Sequence, residues 1–366
     1  MTSAEAFRDL ISGKKSGLSA SILRGALRLL ETPYSAVMSL RNFCYDKGVF
    51  KTTALPIPII SVGNITLGGT GKTPFVAWLV RFYLDHGRFP GIISRGFGTA
   101  KTGTDGSKDC NDEYLELLRR FPNQPHKQNP NRVAAAREFL HENLTSQNST
   151  QAVDVLILDD AMQHRRIARN LNVVLLDALE PFGFEHVFPR GALREPLSGL
   201  RRADIVLLSR ADLVSAEKRN EIWNRVAKHA PKIVWGELQH VPQTLVTLKG
   251  TESDMASLKG KRVLAFCGIG NPDGFAATLR NSGAEVVKLT VFPDHYRYKN
   301  DDINRLINEA NGVCADRLVC TMKDWVKIDP RGTDASRIAA VSIKIQFLSG
   351  EKECCEKLRT TLDETA

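Results

Sequence analysis

The sequence predicts a doubly wound α/β protein organised around a phosphate-binding loop. Short apolar runs alternate with helical segments along most of the chain, which is the pattern of parallel strands joined by crossover helices. The apolar run at 56–61 leads into a glycine-rich turn and then into a helical segment at 75–84. This order of strand, glycine loop and helix is what a phosphate-binding loop requires. We therefore expect a P-loop NTPase-like, mostly parallel sheet with ligands at the carboxyl ends of its strands.

The glycine-rich turn is expected to bind the phosphates of a nucleotide. Its residues are Gly68, Gly69, Thr70, Gly71, Lys72 and Thr73. Glycines allow several backbone N–H groups to converge on one anion, and the helix that follows adds its positive end. Lys72 would reach the β- and γ-phosphates, and the Thr73 hydroxyl would bind Mg²⁺. The strict motif has glycine where Thr66 stands, so this is a variant loop; the alternative is a plain turn between strand and helix.

Composition indicates a soluble globular protein with an acidic partner. The 366 residues are 42% hydrophobic and 25% charged, with a net charge of +9. Such a charge suits a nucleotide, a nucleic acid, an anionic lipid surface or a phosphorylated substrate, and does not distinguish among them. The seven cysteines form no C-x-x-C pair and no zinc spacing, which favours a reducing cytosol. No apolar run is long enough to span a membrane, and the first residues do not resemble a signal peptide.

The pattern of elements predicts three parts: an amphipathic N-terminal segment (1–50), a P-loop core domain (51–230) and a smaller α/β domain with a β-rich connector (231–366). Within 99–131 we expect loops around one helix. Further strands are predicted at 90–94, 153–160, 173–177, 205–209, 262–267, 285–290, 317–321 and 338–348, and helices at 113–120, 131–140, 272–281, 301–311 and in the charged C-terminal tail.

Residues 17–43 are predicted to be an amphipathic helix with a break at Pro33. Its apolar stripe comprises Leu18, Ile22, Ala26, Leu29, Leu30, Val37 and Leu40. A basic amphipathic helix can lie in an anionic lipid interface with its apolar face in the acyl region. Packing of the same stripe against the protein's own core is the other possibility, and the sequence alone leaves both open.

Acidic and basic residues cluster after the predicted strands. Asp159 and Asp160 end an apolar strand, where a P-loop protein holds the acid that binds Mg²⁺; a helix cap is the structural alternative. Two arginine-rich stretches, 163–166 and 190–202, would lie in loops of the same sheet. Arginine suits bidentate phosphate recognition, so the cluster as a whole indicates phosphoryl chemistry.

Four further segments contain residues that could act in a site. Asp112, followed by Glu113, lies in the loop-rich insertion without an obvious structural role. His295 follows a predicted strand and would make a base if paired with a carboxylate, although a hydrogen-bonded surface role explains it alone. The segment 268–272 is explained by a turn before a helix, and 209–212 is only a distant match to a guanine-reading motif.

The ordered series of motifs resembles the tetraacyldisaccharide 4′-kinases of lipid A biosynthesis, from the N-terminal helix to about residue 330. The matching segments are 62–66, Gly68 to Pro74, Ser94 to Gly98, Asn111 to Glu113, Asn131 to Val133, Asp159-Asp160, Gln163 to Arg166, Gly191 to Leu197, Phe292 to His295 and Lys323-Asp324.

This resemblance implies ATP- and Mg²⁺-dependent phosphorylation of the 4′-hydroxyl of a lipid A disaccharide 1-phosphate, giving lipid IVA. It places the protein peripherally at the cytoplasmic face of the inner membrane, and it favours contact of residues 17–43 with the anionic lipid surface. By motif, Asp112 corresponds to the base, supported by His295. The other matching positions are Lys72 and Thr73 for phosphate and Mg²⁺, Asp159 and Asp160 for the metal, and Arg132, Gln163, Arg194 and Glu195 for further active-site contacts.

The chain departs from the family pattern at four positions. Ala161 and Asn111 stand where the family has glycine, Tyr114 where it has proline, and Met322 where it has glutamate. None of these changes removes a residue to which chemistry is assigned.

Two other functions are compatible with a phosphate-binding loop or with the positive charge. A regulatory P-loop GTPase or ATPase would hydrolyse nucleotide without a sugar-lipid acceptor, but the 209–212 segment is not a recognisable base-reading loop. A nucleic-acid-binding module would use the positive charge, but no basic stripe interleaved with aromatic residues is present, and no nucleic-acid partner is expected.

Overall fold

The structure is a computed structural model that describes residues 3–96, 112–145, 152–248, 250–293, 296–329 and 337–363. The described residues form two compact units. The first contains those up to Gly96, those between Asn123 and Gln239, and those from Ile345 onward. The second contains those between Phe97 and Pro122 and those between His240 and Lys344. Compared with the predicted ranges, part of the 99–131 insertion groups with the second unit and the C-terminal helix groups with the first.

The strands follow the predicted order closely. They are β1 (Ile59–Gly63), β2 (Pro90–Ser94), β3 (His126–Gln128), β4 (Val155–Asp159), β5 (Leu171–Asp177), β6 (Ile205–Ser209), β7 (Val234–Thr247), β8 (Glu252–Asp254), β9 (Arg262–Cys267), β10 (Glu285–Val291), β11 (Arg317–Thr321) and β12 (Ile338–Ser349). Two short strands were not predicted: β3, which consists of polar residues in the segment expected to be loop, and β8.

The described residues form the predicted helices and three further ones that no predicted range covers, at 3–11, 216–229 and 322–325. The helices are α1 (Ser3–Ile11), α2 (Leu18–Asp46), α3 (Lys72–Asp85), α4 (Asp112–Arg120), α5 (Arg132–Thr145), α6 (Ala216–His229), α7 (Pro272–Asn281), α8 (Asn300–Gly312), α9 (Met322–Trp325) and α10 (Glu351–Asp363). Asn131 caps α5 as expected, because its side-chain oxygen accepts a hydrogen bond from the Ala134 N–H at 3.2 Å.

In the first unit the strands lie in the order β7-β6-β5-β1-β4-β2-β3, and all of these pairs are parallel. Every residue of β1, β2, β4 and β6 is buried, as expected for continuous apolar strands covered on both faces. Strand β1 lies between β4 and β5, so the loop after β1 is flanked by the acidic ends of both neighbours. This arrangement makes a phosphate-binding edge at the middle of the sheet.

Gly63, the last residue of β1, is required by the close approach of another backbone. A methyl group at this position would lie 2.6 Å from the Met162 Cβ and 2.7 Å from the Met162 backbone nitrogen. Gly63→Ala should therefore lower the free energy of unfolding by about 2 kcal/mol, because the backbone after β4 must shift. Urea denaturation measures this change.

The matched control is Gly25→Ala on α2, where an added methyl group meets nothing within 4 Å. This substitution should leave stability unchanged or raise it slightly, because alanine is the better helix former. Equal stabilities of the two variants would contradict the close-packing argument at Gly63.

In the second unit the strands lie in the order β10-β9-β11-β12 and pair in parallel. Two clusters of buried apolar residues pack against them, one including Phe266, Trp325 and Ile338, the other including Val263, Phe275 and Leu279. Helix α4 contributes Leu115 to the first cluster. The core therefore fixes the position of α4, which begins at Asp112.

Helix α2 is continuous, and the predicted break at Pro33 was wrong. A proline inside a helix costs roughly 3 kcal/mol because it removes one N–H donor and crowds the preceding turn. Contacts on both sides of Pro33 offset this cost. The Glu31 carboxylate accepts a hydrogen bond from the Val187 N–H at 2.7 Å, and the Tyr34 hydroxyl donates to the Arg194 carbonyl at 3.1 Å.

The apolar stripe of α2 is exposed. Leu18 and Leu29 are 80% and 78% exposed, and Ile22, Leu30, Val37 and Leu40 are also exposed. The stripe therefore does not pack on the core of the first unit, which removes one of the two possibilities left open by the sequence. Among the described helices, none combines the length and apolar character needed to cross a membrane.

Candidate active site

The glycine loop turns sharply into α3, as the motif predicts. Gly71 has a left-handed backbone conformation (φ 80°) and is the residue before the first turn of α3. Lys72 and Thr73 begin the helix and are 7% and 5% exposed. The preceding backbone is fixed to another loop, since the Leu67 N–H donates to the Ala192 carbonyl at 2.7 Å.

Asp160 is the electrostatic centre of the site in the first unit. Its Oδ1 lies 3.4 Å from the Lys72 Nζ, and the Arg194 Nη1 donates to both carboxylate oxygens at 3.0 Å. Burial by itself raises the pKa of Asp160, but Lys72 and Arg194 outweigh this effect and hold the pKa below its usual range. Asp160 therefore stays ionised and aligns two cations beside the loop.

Gln163 and Glu195 form a buried network next to these charges. The Gln163 Nε2 donates to the Asn64 carbonyl and to the Glu195 Oε1, both at 3.0 Å. Glu195 is fully buried, and its other oxygen accepts from the Asn42 Nδ2 at 2.9 Å and the Arg202 Nη2 at 2.7 Å. Because Gln163 and Glu195 hold the strand-to-loop junction, their positions indicate a role in shaping the site.

Arg132 is the buried first residue of α5, with 3% of its surface exposed. Burial lowers its pKa, Asp160 raises it and Arg95 lowers it again. Asp160 is therefore among the charges that act on Arg132, as it is for Lys72 and Arg194. The structure thus brings together the predicted cations of the first unit.

Several buried polar atoms around the loop have no hydrogen-bond partner within the described chain. They are the two side-chain polar atoms of Asn64, the Thr70 Oγ1, and the Nε atoms of Arg132, Arg194 and Arg210. Buried polar groups are nearly always paired in the functional state, so a cluster of unpaired donors indicates a ligand with many acceptor oxygens. A nucleotide triphosphate is such a ligand.

Arg210 and Asp177, which the sequence pattern did not predict, are also parts of this site. Arg210 follows β6 and forms an ion pair with Asp177 at the end of β5. Its Nη2 also donates to the Gly69 carbonyl at 3.1 Å, so it holds the glycine loop. From sequence, the segment 209–212 is only a distant match to a guanine-reading motif, and the contact with Gly69 reveals its relation to the loop.

Asp112 belongs to the second unit, where it begins α4. The Lys327 Nζ lies 3.1 Å from the Asp112 Oδ2 and 4.0 Å from the Asp324 Oδ1, and it is 6% exposed. Asp324 is fully buried and accepts from the Gly268 N–H and the Tyr298 hydroxyl, both at 3.0 Å, and from the Thr321 hydroxyl. Asp324 is thus held in place and helps to position Lys327, which in turn orients Asp112. The sequence pattern did not predict this role of Lys327.

The predicted residue His295 lies outside the described residues, as do Asn111 and Asp294. Among the described residues, no group of three or more histidine, cysteine or acidic side chains could hold a metal ion on its own.

Comparison with known proteins identifies the family. The profile of the tetraacyldisaccharide-1-P 4′-kinase family (LpxK) matches residues 23–363. The chain belongs to this family.

Individual members agree with this assignment. The tetraacyldisaccharide 4′-kinase of Anaeromyxobacter sp. (strain K) is 36% identical over 90% of this chain and 88% of its own. The tetraacyldisaccharide 4′-kinase of Chlorobaculum parvum is 36% identical over 95% of this chain and 97% of its own. The crystal structure of LpxK from Aquifex aeolicus in complex with ATP superposes with a TM-score of 0.72 at 25% identity, covering 93% of this chain and 99% of that one. The predicted fold class and family are confirmed.

The structure accommodates the chain's departures from the family pattern. Ala161 is fully buried in an apolar cluster with Ile59, Leu158 and Phe139, so its methyl group fills core space. Met322 is buried in the core of the second unit, where an apolar side chain is better suited than a carboxylate. Neither side chain takes the place of a candidate site residue.

Proposed function

We propose that the protein transfers the γ-phosphate of ATP to the 4′-hydroxyl of a tetraacyldisaccharide 1-phosphate, giving lipid IVA in lipid A biosynthesis. The observation that carries this proposal is the family match over nearly the whole chain. The phosphate-binding loop with Lys72, Asp160 and Arg194 clustered beside it supports the same chemistry.

The cations of the first unit neutralise charge during transfer. Phosphoryl transfer passes through a loose transition state, so an enzyme contributes mainly positioning and electrostatic stabilisation. Lys72 contacts the β- and γ-phosphates, while Arg132 and Arg194 stabilise the charge on the transferred group. Asp160 aligns Lys72 and Arg194 before ATP binds. The backbone of residues 68–73 and the buried contacts of Gln163 and Glu195 keep the loop in its binding shape.

Mg²⁺ accompanies ATP, and the donor set fits this ion. Mg²⁺ commonly takes one or two carboxylates and completes its shell with phosphate oxygens and water, so it does not need a cage of protein ligands. The Thr73 hydroxyl and Asp159, with Asp160 behind it, would hold the ion. When bound, Mg²⁺ withdraws charge from the phosphate oxygens.

Asp112 accepts the proton of the 4′-hydroxyl and orients that oxygen for attack. The ion pair with Lys327 holds the carboxylate in one orientation, which supports its use as a base. His295 supports Asp112 in this role.

We also propose that the protein has the three parts predicted from its sequence, with 51–230 as the kinase core.

A regulatory P-loop NTPase is the alternative function. Turnover of ATP and GTP, each measured with and without the lipid acceptor, separates the two. If the protein is the kinase, we expect phosphate transfer that requires the acceptor and uses ATP. Fast hydrolysis without acceptor, with no phosphorylated lipid, would support the regulatory NTPase instead.

Helix α2 brings the protein to the cytoplasmic face of the inner membrane, where it is a peripheral protein. Its partner there is the lipid A disaccharide 1-phosphate, and we propose no nucleic-acid partner. The exposed apolar stripe of residues 17–43 supports this proposal, because a large exposed apolar band on a helix typically marks an interaction surface. Its inner face contacts the loops that carry Gln163 and Arg194. Membrane contact and the candidate site therefore share one helix.

The double substitution Leu29→Glu with Val37→Glu should weaken binding to phosphatidylglycerol vesicles by at least about 10-fold. Each buried aliphatic side chain contributes roughly 1.5–3 kcal/mol, which the two glutamates remove. Co-sedimentation measures the affinity. Leu144→Glu is the matched control, because Leu144 is 86% exposed on α5, and it should bind as the original protein does. Unchanged binding of the double variant would exclude this stripe as the membrane contact.

A further inference from the structure

The first unit contains an open cavity of about 640 Å³ to which no ligand has been assigned above. Its walls come from the last turns of α2, the segment 49–53, the beginning of α5 and Arg166. Two of these walls are joined directly, since the Thr53 N–H donates to the Arg166 carbonyl at 2.8 Å. A cavity with walls held in this way can bind a ligand without reorganisation.

The cavity is strongly positive. Arg41, Lys51, Arg137 and Arg166 line it, and no acidic residue is among the described residues that form its walls. The Arg41 Nη2 donates to the Gln163 carbonyl at 2.7 Å, while its buried Nη1 has no partner within the described chain. One guanidinium nitrogen is therefore buried beside the cavity without an acceptor. Arginine in this arrangement is suited to a phosphate group.

The environment of His164 supports this charge distribution. Burial and, to a smaller extent, the nearby cations Arg132, Arg169, Arg166 and Arg41 together lower the pKa of His164 to about 4. Two of these four cations, Arg166 and Arg41, also line the cavity. The positive charge concentrated here disfavours protonation of His164 and favours the binding of an anion.

The cavity also has polar and apolar walls that suit a glycolipid. Tyr45 and Asn131 provide hydrogen-bonding groups, and Asn131 directly precedes Arg132 of the candidate site. Val49 and Phe50, which follow α2, are 66% and 45% exposed and line the same cavity. A ligand that combines a phosphate, a sugar and an acyl chain matches these three kinds of wall.

We infer that this cavity binds the phosphate at the reducing end of the glycolipid acceptor. The inference rests on the proposed function and extends it, because it assigns residues to the end of the acceptor that does not react. A phosphate bound there would hold the disaccharide while its 4′-hydroxyl is phosphorylated. The residues that carry it are Arg41, Lys51, Arg137 and Arg166.

The test compares two acceptors that differ only at this phosphate: the tetraacyldisaccharide 1-phosphate and the same disaccharide with a free 1-hydroxyl. The double variant Arg137→Gln with Arg166→Gln should lower kcat/KM for the phosphorylated acceptor by about 10- to 100-fold, because two charge-assisted contacts are lost. The loss should be in KM, since binding at a non-reacting group affects ground and transition states equally. For the acceptor with a free hydroxyl, kcat/KM should change by less than about 2-fold.

Arg81→Gln is the matched control, because Arg81 is exposed on α3 and does not line the cavity. It should leave kcat/KM for both acceptors unchanged. An equal loss for both acceptors in the double variant would indicate a structural role and overturn the inference, and so would no loss for either acceptor.

Two further measurements separate the remaining outcomes. If the loss depends on added phosphatidylglycerol and not on the acceptor's 1-phosphate, the cavity binds membrane phospholipid and the inference is overturned. Binding of the two acceptors without ATP tests the cavity independently of turnover. A preference for the 1-phosphate that the double variant loses supports the inference even if no phosphate is transferred, whereas equal binding of the two acceptors by the unsubstituted protein overturns it.

Discussion

Replacing Lys72 with methionine should lower kcat by about 10³-fold, because it removes the loop's cation from the transferred phosphate. Lys72 is buried beside Asp160, with 3.4 Å between the ammonium nitrogen and the carboxylate. Methionine keeps most of the side-chain volume and removes the charge. Asp160 retains its two contacts from Arg194, so the fold should remain intact. Steady-state kinetics with thermal unfolding of the same sample measures both effects.

Lys218→Met is the control for this prediction. Lys218 is an exposed residue of α6 whose ammonium group pairs with Glu221, and its loss should leave turnover unchanged. A Lys72→Met protein that turns over within 10-fold of the unsubstituted enzyme would contradict the role given to this lysine. A Lys72→Arg variant tests whether charge alone suffices.

Asp112→Asn should lower kcat by about 10²- to 10⁴-fold, the range expected for loss of a general base. Asparagine preserves the shape of the side chain and can still contact Lys327, but it cannot accept the proton of the sugar hydroxyl. Because the phosphate-binding loop belongs to the other unit, ATP affinity should change little. Calorimetric titration with a non-hydrolysable ATP analogue measures that affinity beside the kinetics.

Two variants sharpen this second prediction. Lys327→Met should lower kcat less than Asp112→Asn, because it removes the partner that orients the base and leaves the base in place. Glu113→Gln, at the neighbouring position, should have a small effect. Near-normal turnover of Asp112→Asn would remove Asp112 from the role of base.

The sequence was most informative where local pattern decides structure. Buried parallel strands are continuous apolar runs, so β1, β4 and β6 could be predicted with few errors, and so could the chemistry at their carboxyl ends. The turn at Gly71 could be predicted from the glycine motif, because glycine adopts the left-handed backbone conformation of this turn without steric strain.

The sequence was least informative where distant contacts decide structure. Strand β3 consists of polar residues, and it forms because β2 offers an open edge. Helix α2 continues through Pro33 because Glu31 and Tyr34 are held by distant backbone groups. The roles of Arg210 and Lys327 depend on partners more than 100 residues away in the chain, and no local pattern indicates such pairs.

The central claim is tested most directly by transfer of labelled phosphate. The protein is incubated with γ-labelled ATP, Mg²⁺ and a tetraacyldisaccharide 1-phosphate in detergent, and the lipid product is analysed for the position of the label. The account predicts one labelled phosphate at the 4′-position, with formation that depends on the acceptor. Absence of labelled lipid, or label at another hydroxyl, would contradict it.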